Sequence, residues 1–91
     1  MVVKMKPYED TKINNETFQR TFKQYIPENE LVWHRDKCDR HIRVLSGKWQ
    51  FQFDNNVPFG LCKGMYFFIP KNEYHRITKG DGDLIFEVPD S

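Results

Sequence analysis

Short segments in which apolar and polar residues alternate constrain the fold of this chain more than any other feature of its sequence. In residues 48–54, Trp49, Phe51 and Phe53 alternate strictly with glutamines. Alternation with a period of two places all three rings on one face of a β-strand, and an α-helix does not produce it. The segment therefore predicts a strand with one buried face.

Six other short apolar or alternating segments follow the same rule, and turn sequences such as Ser-Gly, Asp-Asn-Asn and Pro-Lys-Asn separate them. Composition agrees, because aromatic residues make up 15% of the chain and alanine is absent. Seven or eight short strands joined by Gly, Asn and Pro turns predict a β-sandwich or barrel. The six further predicted strands are residues 31–36, 40–45, 59–64, 65–70, 73–78 and 83–88.

The N-terminal part is less regular. Residues 1–16 predict an edge strand and a loop, and residues 17–90 the barrel core of a single domain that spans 1–91. Residues 17–26 fit a helical stripe as well as a strand face, but Thr17, Thr21 and Ile26 are β-branched and a Pro-Glu-Asn-Glu turn follows. We therefore expect a strand there.

Charge and cysteine content narrow the functional classes. The 14 basic residues nearly cancel the 13 acidic ones and are scattered, which argues against a nucleic-acid partner. No apolar run resembles a signal peptide or approaches membrane-spanning length, so we expect a cytoplasmic protein without a membrane partner.

Cys38 and Cys62 are too few for a disulfide scaffold, and we expect reduced thiols. A domain this small gains stability from a metal or from a partner copy, and a homodimer is expected.

Two of the three histidines suggest a metal site. His34 and Asp36 are two residues apart on a strand-like segment, so their side chains share a face, and His75 lies on another predicted strand. Two imidazoles and one carboxylate leave coordination positions open, as in non-haem Fe(II) oxygenases, although Mn, Ni, Co or Zn also suit such ligands. Taken alone, His-x-Asp is a weak signal, because strand histidines are usually hydrogen-bonded structural residues.

The spacing around these residues resembles that of the cupin superfamily. In residues 64–79, Gly64, Pro70, Asn72 and His75 match the second cupin motif, with Asn72 in place of a glycine and Lys79 where asparagine is common. Asparagine tolerates the left-handed turn conformation, so that replacement is mild.

Residues 33–47 resemble the first cupin motif, with His34, Asp36, Arg40 and Gly47 at matching separations. Asp36 stands where the commonest cupins have a second histidine, and Arg40 where they have a glutamate ligand. The resemblance implies an all-β double-stranded β-helix, the cupin or jelly-roll barrel, with His34, Asp36 and His75 as the metal ligands. A guanidinium cannot ligate a metal, so three protein ligands are the most that this site can have.

Arg40 has the parity of Ile42 and Val44 and is expected to point inward, where an unpaired charge needs an anionic partner. That partner is Asp36, Asp39, or a carboxylate or phosphate of the substrate. The leading hypothesis is therefore a small Fe(II)-dependent oxygenase for an anionic small molecule, in which Arg40 or Arg76 orients the negative group.

Other assignments stay open. Trp33 is a candidate substrate contact and Tyr66 a candidate catalytic residue, although aromatic residues of small barrels are more often core or dimer surface. A metal-dependent isomerase, epimerase or lyase, with Tyr66 or Tyr74 moving a proton, is the first alternative. A non-enzymatic module that binds a metal or a small ligand is the second. No 2-oxoglutarate is expected, because residues 83–88 lack the basic residue that would hold it.

Overall fold

The computed structural model describes residues 7–89, and these form a single antiparallel β-sheet that closes on itself. The all-β prediction is confirmed. A three-residue 3₁₀ helix, Glu28–Glu30, joins the second and third strands, and no helix in the described range is long and apolar enough to cross a membrane. The strands are β1 Glu9–Lys12, β2 Thr17–Phe22, β3 Arg40–Phe53, β4 Phe59–Gly60, β5 Tyr66–Ile69 and β6 His75–Pro89.

Two long strands dominate the sheet. Its order is β1-β2-β6-β3-β4, and β5 pairs with the N-terminal part of β3. The sequence predicts four short strands where the structure has β3 and β6, so the predicted breaks at Ser46-Gly47 and at residues 79–83 are wrong. The chain bends without ending the strand, because the β3–β6 register shifts three times between Val44 and Gln50. Such bulges bend a strand and increase its twist while pairing continues on both sides.

Glycine makes this bend possible at two places. Gly47 has a φ of 101°, and a Cβ there would lie 2.7 Å from the carbonyl oxygen of Asp83. On the facing strand, a Cβ at Gly80 would overlap the carbonyl of Lys48. At both positions the β3 and β6 backbones lie closer together than a side chain permits. Glycine is therefore required here for close backbone approach, although in the sequence it suggested a turn between two strands.

The alternation in β3 has the predicted consequence. Trp49 is 1% exposed and Phe51 3% exposed, whereas Gln50 faces solvent. The Trp49 indole donates a 2.8 Å hydrogen bond from Nε1 to the Gly82 carbonyl, so the buried ring leaves no polar atom unsatisfied. The remaining core side chains come from both long strands and their neighbours: Phe22, Ile42, Val44, Leu61, Ile69, Ile77, Leu84, Phe86 and Val88.

The N-terminal segment places β1 at the edge of the sheet, paired with β2. The strand preferred for residues 17–26 is confirmed as β2, which ends at Phe22. Residues 1–6 of the expected edge strand and loop lie outside the described residues. Cys38 is half-buried, Cys62 is exposed, and no disulfide joins them.

One predicted strand is absent. Residues 31–36 contain only a single bridge, at His34, so the strand predicted there is wrong. The 3₁₀ helix precedes the segment and bends separate it from β3, so its backbone meets β6 at one point only.

Candidate metal centre

The backbone brings His34 to His75 directly. The two residues form an isolated antiparallel bridge and exchange both backbone hydrogen bonds, at 3.0 and 2.9 Å. Residues paired in this way carry their side chains on the same face of the sheet. The two imidazole rings consequently meet edge to face, with centroids 4.3 Å apart.

Asp36 completes the cluster that the sequence predicts. The potential ligand atoms of His34, Asp36 and His75 all lie within 4.8 Å of one another. His75 Nε2 and Asp36 Oδ2 are separated by 3.5 Å. Metal bonds of about 2.1 Å place neighbouring ligand atoms roughly 3.0–3.5 Å apart, so modest side-chain rotation suffices to bring all three around one ion.

Each histidine is oriented by the same local contact. Nδ1 of His34 lies 2.9 Å from the Val32 carbonyl, and Nδ1 of His75 lies 2.8 Å from the Glu73 carbonyl. A carbonyl oxygen only accepts, so Nδ1 is the donor in both rings, and in a neutral imidazole Nε2 then carries the lone pair. Metal-binding histidines are typically fixed by such a hydrogen bond from the nitrogen that does not bind the metal.

The protonation state of His75 agrees with this geometry. His75 is 3% exposed, and its ring stacks on Phe51 with centroids 5.3 Å apart. Burial lowers the pKa of His75, and nearby His34 lowers it further, although the Glu73 carbonyl and Asp36 act in the opposite direction. A neutral imidazole is the form that binds a metal.

Three potential electron-pair donors therefore lie close together. Nε2 of His75 and the Asp36 carboxylate face each other at 3.5 Å, and the potential ligand atom of His34 belongs to the same cluster. Such electron-pair donors repel unless a cation or a proton lies between them. The residues thus fit a divalent metal, because two imidazoles and one carboxylate are suitable ligands and their side chains point towards one another.

A turn from the other cupin motif holds Asp36. The Asn72 amide donates a 2.8 Å hydrogen bond to the Asp36 carbonyl, and the Lys71 amide donates one of 2.8 Å to the Asp39 carboxylate. Asn72 has a φ of 64°, the left-handed conformation for which asparagine was expected to substitute for glycine. The two motifs are therefore joined at this turn.

Two aromatic–arginine contacts flank the histidine bridge. The Arg76 guanidinium lies 4.6 Å from the centre of the Trp33 ring, and Arg35 lies 4.9 Å from that of Tyr74. Arg76 also donates to the Gln52 side chain at 3.1 Å. We call these two contacts the clamp. Trp33 and Arg76 were expected to contact substrate, but neither lines the cavity described below.

Tyr66 also lies away from the cluster. It is 64% exposed on β5 and its ring is 6.0 Å from that of His41, which faces outward as its parity predicts. Phe67 and Ile69 occupy the inner face of the same short strand. The structure therefore does not bring the expected catalytic tyrosine to the metal residues.

A cavity of about 330 Å³ adjoins the cluster, and His34, Asp36 and His75 all form part of its wall. Arg40 lines it too, as its parity with Ile42 predicts. Arg40 Nε is fully buried and has no hydrogen-bond partner. The apolar part of the wall is formed mainly by Phe22, Ile42, Ile69, Ile77, Phe86 and Val88.

Sequence analysis missed two residues of this cavity. Arg20 and Tyr8 line it, and the Arg20 guanidinium stacks 3.8 Å from the centre of the Tyr8 ring. Arg20 is also bound by Asp10 through two hydrogen bonds, of 2.9 and 3.2 Å. The shared parity of Arg20 and Phe22 on β2 was the available signal, but it identifies a face only once the strand itself is established.

Comparison with solved structures agrees with the resemblance seen in the sequence. An RmlC-like cupin from Methanocaldococcus jannaschii with a double-stranded β-helix fold superimposes with a TM-score of 0.67 and 18% identity, over 98% of this chain and 82% of that one. The chain has the cupin fold, and the predicted double-stranded β-helix is confirmed.

Two similar structures are larger. One, described as DMSP lyases RdDddP and RnDddQII, matches with a TM-score of 0.68 and 20% identity over 80% of this chain and 36% of that one. Another, described as Fe(II) HppE, matches with a TM-score of 0.62 and 15% identity over 80% and 41%. No family model and no curated protein sequence matches the chain. The likeness is one of fold.

Proposed function

We propose that this protein is a metal-dependent cupin enzyme, a non-haem Fe(II) oxygenase that acts on a small anionic substrate. The observation that carries the proposal is the convergence of potential ligand atoms of His34, Asp36 and His75, with Nδ1 of both histidines hydrogen-bonded to backbone carbonyls. In this proposal those three residues hold the ion. A ferrous ion with three protein ligands offers open positions at which O₂ and substrate can react.

The rest of the cavity supplies binding and orientation. Arg40 Nε is buried without a partner, and an anionic group on the substrate would satisfy it. The apolar wall limits water beside the metal residues, which strengthens the electrostatic interactions there. Trp33, Arg76 and Tyr66 have no part in this proposal, because none of them lines the cavity.

The fold does not choose the reaction, since similar structures are described as lyases and as an Fe(II) protein. Two features favour the oxygenase over a proton-transfer enzyme. The ligand set is the two-histidine, one-carboxylate set typical of oxygen-activating iron. Of the two tyrosines expected to move a proton, Tyr66 is 64% exposed and Tyr74 42% exposed, and neither lines the cavity.

Oxygen consumption tests the proposal. Protein purified without a chelating tag is loaded with Fe(II) under argon, and O₂ uptake is followed with a panel of small carboxylic acids and thiols. We expect uptake that depends on one of these compounds and is lost in Asp36→Ala. Conversion of the same compound under argon would instead identify an isomerase or lyase. Metal binding without turnover of any compound would favour a binding module.

A further inference from the structure

Arg40 is the one charged group of the cavity wall whose buried polar atom has no partner among the described residues. The acids expected to pair with it are engaged elsewhere. Asp39 accepts from the Lys71 amide at 2.8 Å, and Asp36 faces His75 at 3.5 Å. No acidic side chain of residues 7–89 lies within ion-pairing distance of Arg40. A buried guanidinium nitrogen without a partner can be satisfied by an anion from outside the chain.

The other charges of the wall indicate a single negative charge. Arg20 is neutralised by its two hydrogen bonds to Asp10, and Glu30 is exposed on the 3₁₀ helix. In the metal-free protein a dianion such as phosphate would need a second unpaired cationic side chain, which the described part of the wall does not supply. A single unpaired guanidinium matches the single negative charge of one carboxylate.

The side chains next to Arg40 on the same face of the sheet are apolar. They are Ile42, which is 2% exposed, and Ile69, the register partner of Arg40 on β5, which is 4% exposed. Phe86 and Val88 extend this surface on β6. A ligand whose charged end reaches Arg40 therefore places its remaining atoms against aliphatic and aromatic side chains, where a polar body would lose hydrogen bonds to water.

The volume sets an upper size. A dry cavity of about 150 Å³ accommodates benzene, so roughly twice that volume accommodates a ligand of about ten to fifteen non-hydrogen atoms. The cavity here is about 330 Å³. Nucleotides exceed this size, and a sugar would place hydroxyl groups against the apolar part of the wall.

We propose that the site takes a small monocarboxylate with a compact apolar body, aromatic or branched aliphatic, whose carboxylate binds Arg40 while its body lies against Ile42, Ile69 and Phe86. This inference rests on the proposed function for the location of the reaction, but the binding of the acid depends on Arg40 and not on the metal.

Isothermal titration calorimetry with four probes tests the inference. Phenylacetate carries both features, phenylacetamide lacks the charge, acetate lacks the apolar body, and phenyl phosphate carries a dianion. Each is titrated into metal-free protein and into protein loaded with redox-inert Zn(II). We expect phenylacetate to bind at least about tenfold more tightly than each of the other three. Only phenylacetate combines a single negative charge that accepts a hydrogen bond from Arg40 with an apolar body.

Two variants locate the interaction. Arg40→Gln should weaken phenylacetate binding at least about tenfold, because the charged donor is lost. Arg43→Gln removes the same charge from the exposed face of the same strand and should leave binding unchanged. The ligand series on unmodified protein keeps the test valid even if Arg40→Gln folds poorly.

Several results would overturn the inference: equal affinity for the amide, equal affinity for acetate, tighter binding of phenyl phosphate, or an equal loss in Arg43→Gln. Metal content measured on the same samples separates this inference from the proposed function. Selective acid binding in protein that retains no metal would contradict only the proposed function. Metal retention without acid selectivity would contradict only the inference drawn here.

Discussion

The two sides of the metal cluster are built differently. His75 belongs to the long strand β6, is 3% exposed and stacks on Phe51. His34 and Asp36 belong to residues 31–39, which form no strand and meet β6 through one bridge. His34 is exposed, and Asp36 retains 23% of its side-chain exposure. One ligand is part of the core, whereas two are presented by a segment attached to it.

This difference indicates how the site is stabilised. Sheet pairing and packing fix His75 before any metal binds, whereas the irregular segment depends on a few contacts: the His34 bridge, the Asn72 hydrogen bond and the clamp. Segments with few buried apolar contacts open at low free-energy cost. Metal binding should therefore stabilise residues 31–39 more than it stabilises β6.

The largest effect is expected from His75→Ala. Removal of a buried, hydrogen-bonded ring leaves a cavity under Phe51 and should lower the free energy of unfolding by about 3 kcal/mol, as well as abolishing metal binding. His34→Ala should abolish metal binding with less than about 1 kcal/mol of destabilisation in metal-free protein, because His34 is exposed. Denaturant unfolding and metal analysis measure both. Equal destabilisation by the two variants would contradict the difference proposed between the buried ligand His75 and the exposed ligand His34.

Asn72→Ala should come next. Alanine in the left-handed conformation costs about 1 kcal/mol, and the strained turn would weaken the hydrogen bond that positions Asp36. Asn72→Gly is the matched control and should retain wild-type stability and metal affinity, because glycine adopts this conformation without strain. The comparison fails if both variants lose metal to the same extent.

Much of this arrangement is predictable from sequence. Spacing within the two motifs identified His34, Asp36, His75 and the left-handed turn at Asn72, because residue separation fixes which groups share a face. The outcome for residues 31–36 was not predictable in this way. Their alternation resembles a strand, yet whether a strand forms depends on a continuous pairing partner, which local pattern does not reveal.

The same limit applies to Trp33 and Arg76. They were chosen as substrate-contact candidates for their chemistry, and sequence alone did not reveal that neither lines the cavity beside the metal residues. The continuity of β3 and β6 was missed because Gly47 and Gly80 mark turns as readily as close backbone approaches. Arg20 was missed because its role depends on tertiary contact with Tyr8 and Asp10.

A smaller effect on stability is expected from the clamp. Trp33→Ala should lower stability by about 0.5–1 kcal/mol, yet weaken metal affinity roughly tenfold, because the segment that carries two ligands is held less firmly. Tyr25→Ala removes a 75% exposed aromatic ring outside the clamp and should change neither quantity. Trp33→Phe should restore most of the affinity. Unchanged metal affinity in Trp33→Ala would show that the clamp does not position the ligands.

The smallest effect is on the pH dependence of the metal-free protein. Because the pKa of folded His75 is lowered from 6.5, the unfolded chain binds more protons below that value. The stability that His75 contributes is complete above pH 6.5 and is lost as the pH falls towards its folded pKa. Thermal unfolding between pH 7.5 and 5 should show this loss, and His75→Phe should reduce it. An identical pH profile in His75→Phe would show that protonation of His75 does not cause the loss of stability at low pH.

Metal stoichiometry tests the central claim most directly. Metal-free protein is incubated with Fe(II) under argon, desalted and analysed for iron, beside His34→Ala, Asp36→Ala and His75→Ala. A three-ligand site should retain about one iron per chain in the wild type and almost none in each variant. Less than about 0.1 iron per wild-type chain, or equal retention by the variants, would show that these three residues do not form a metal site.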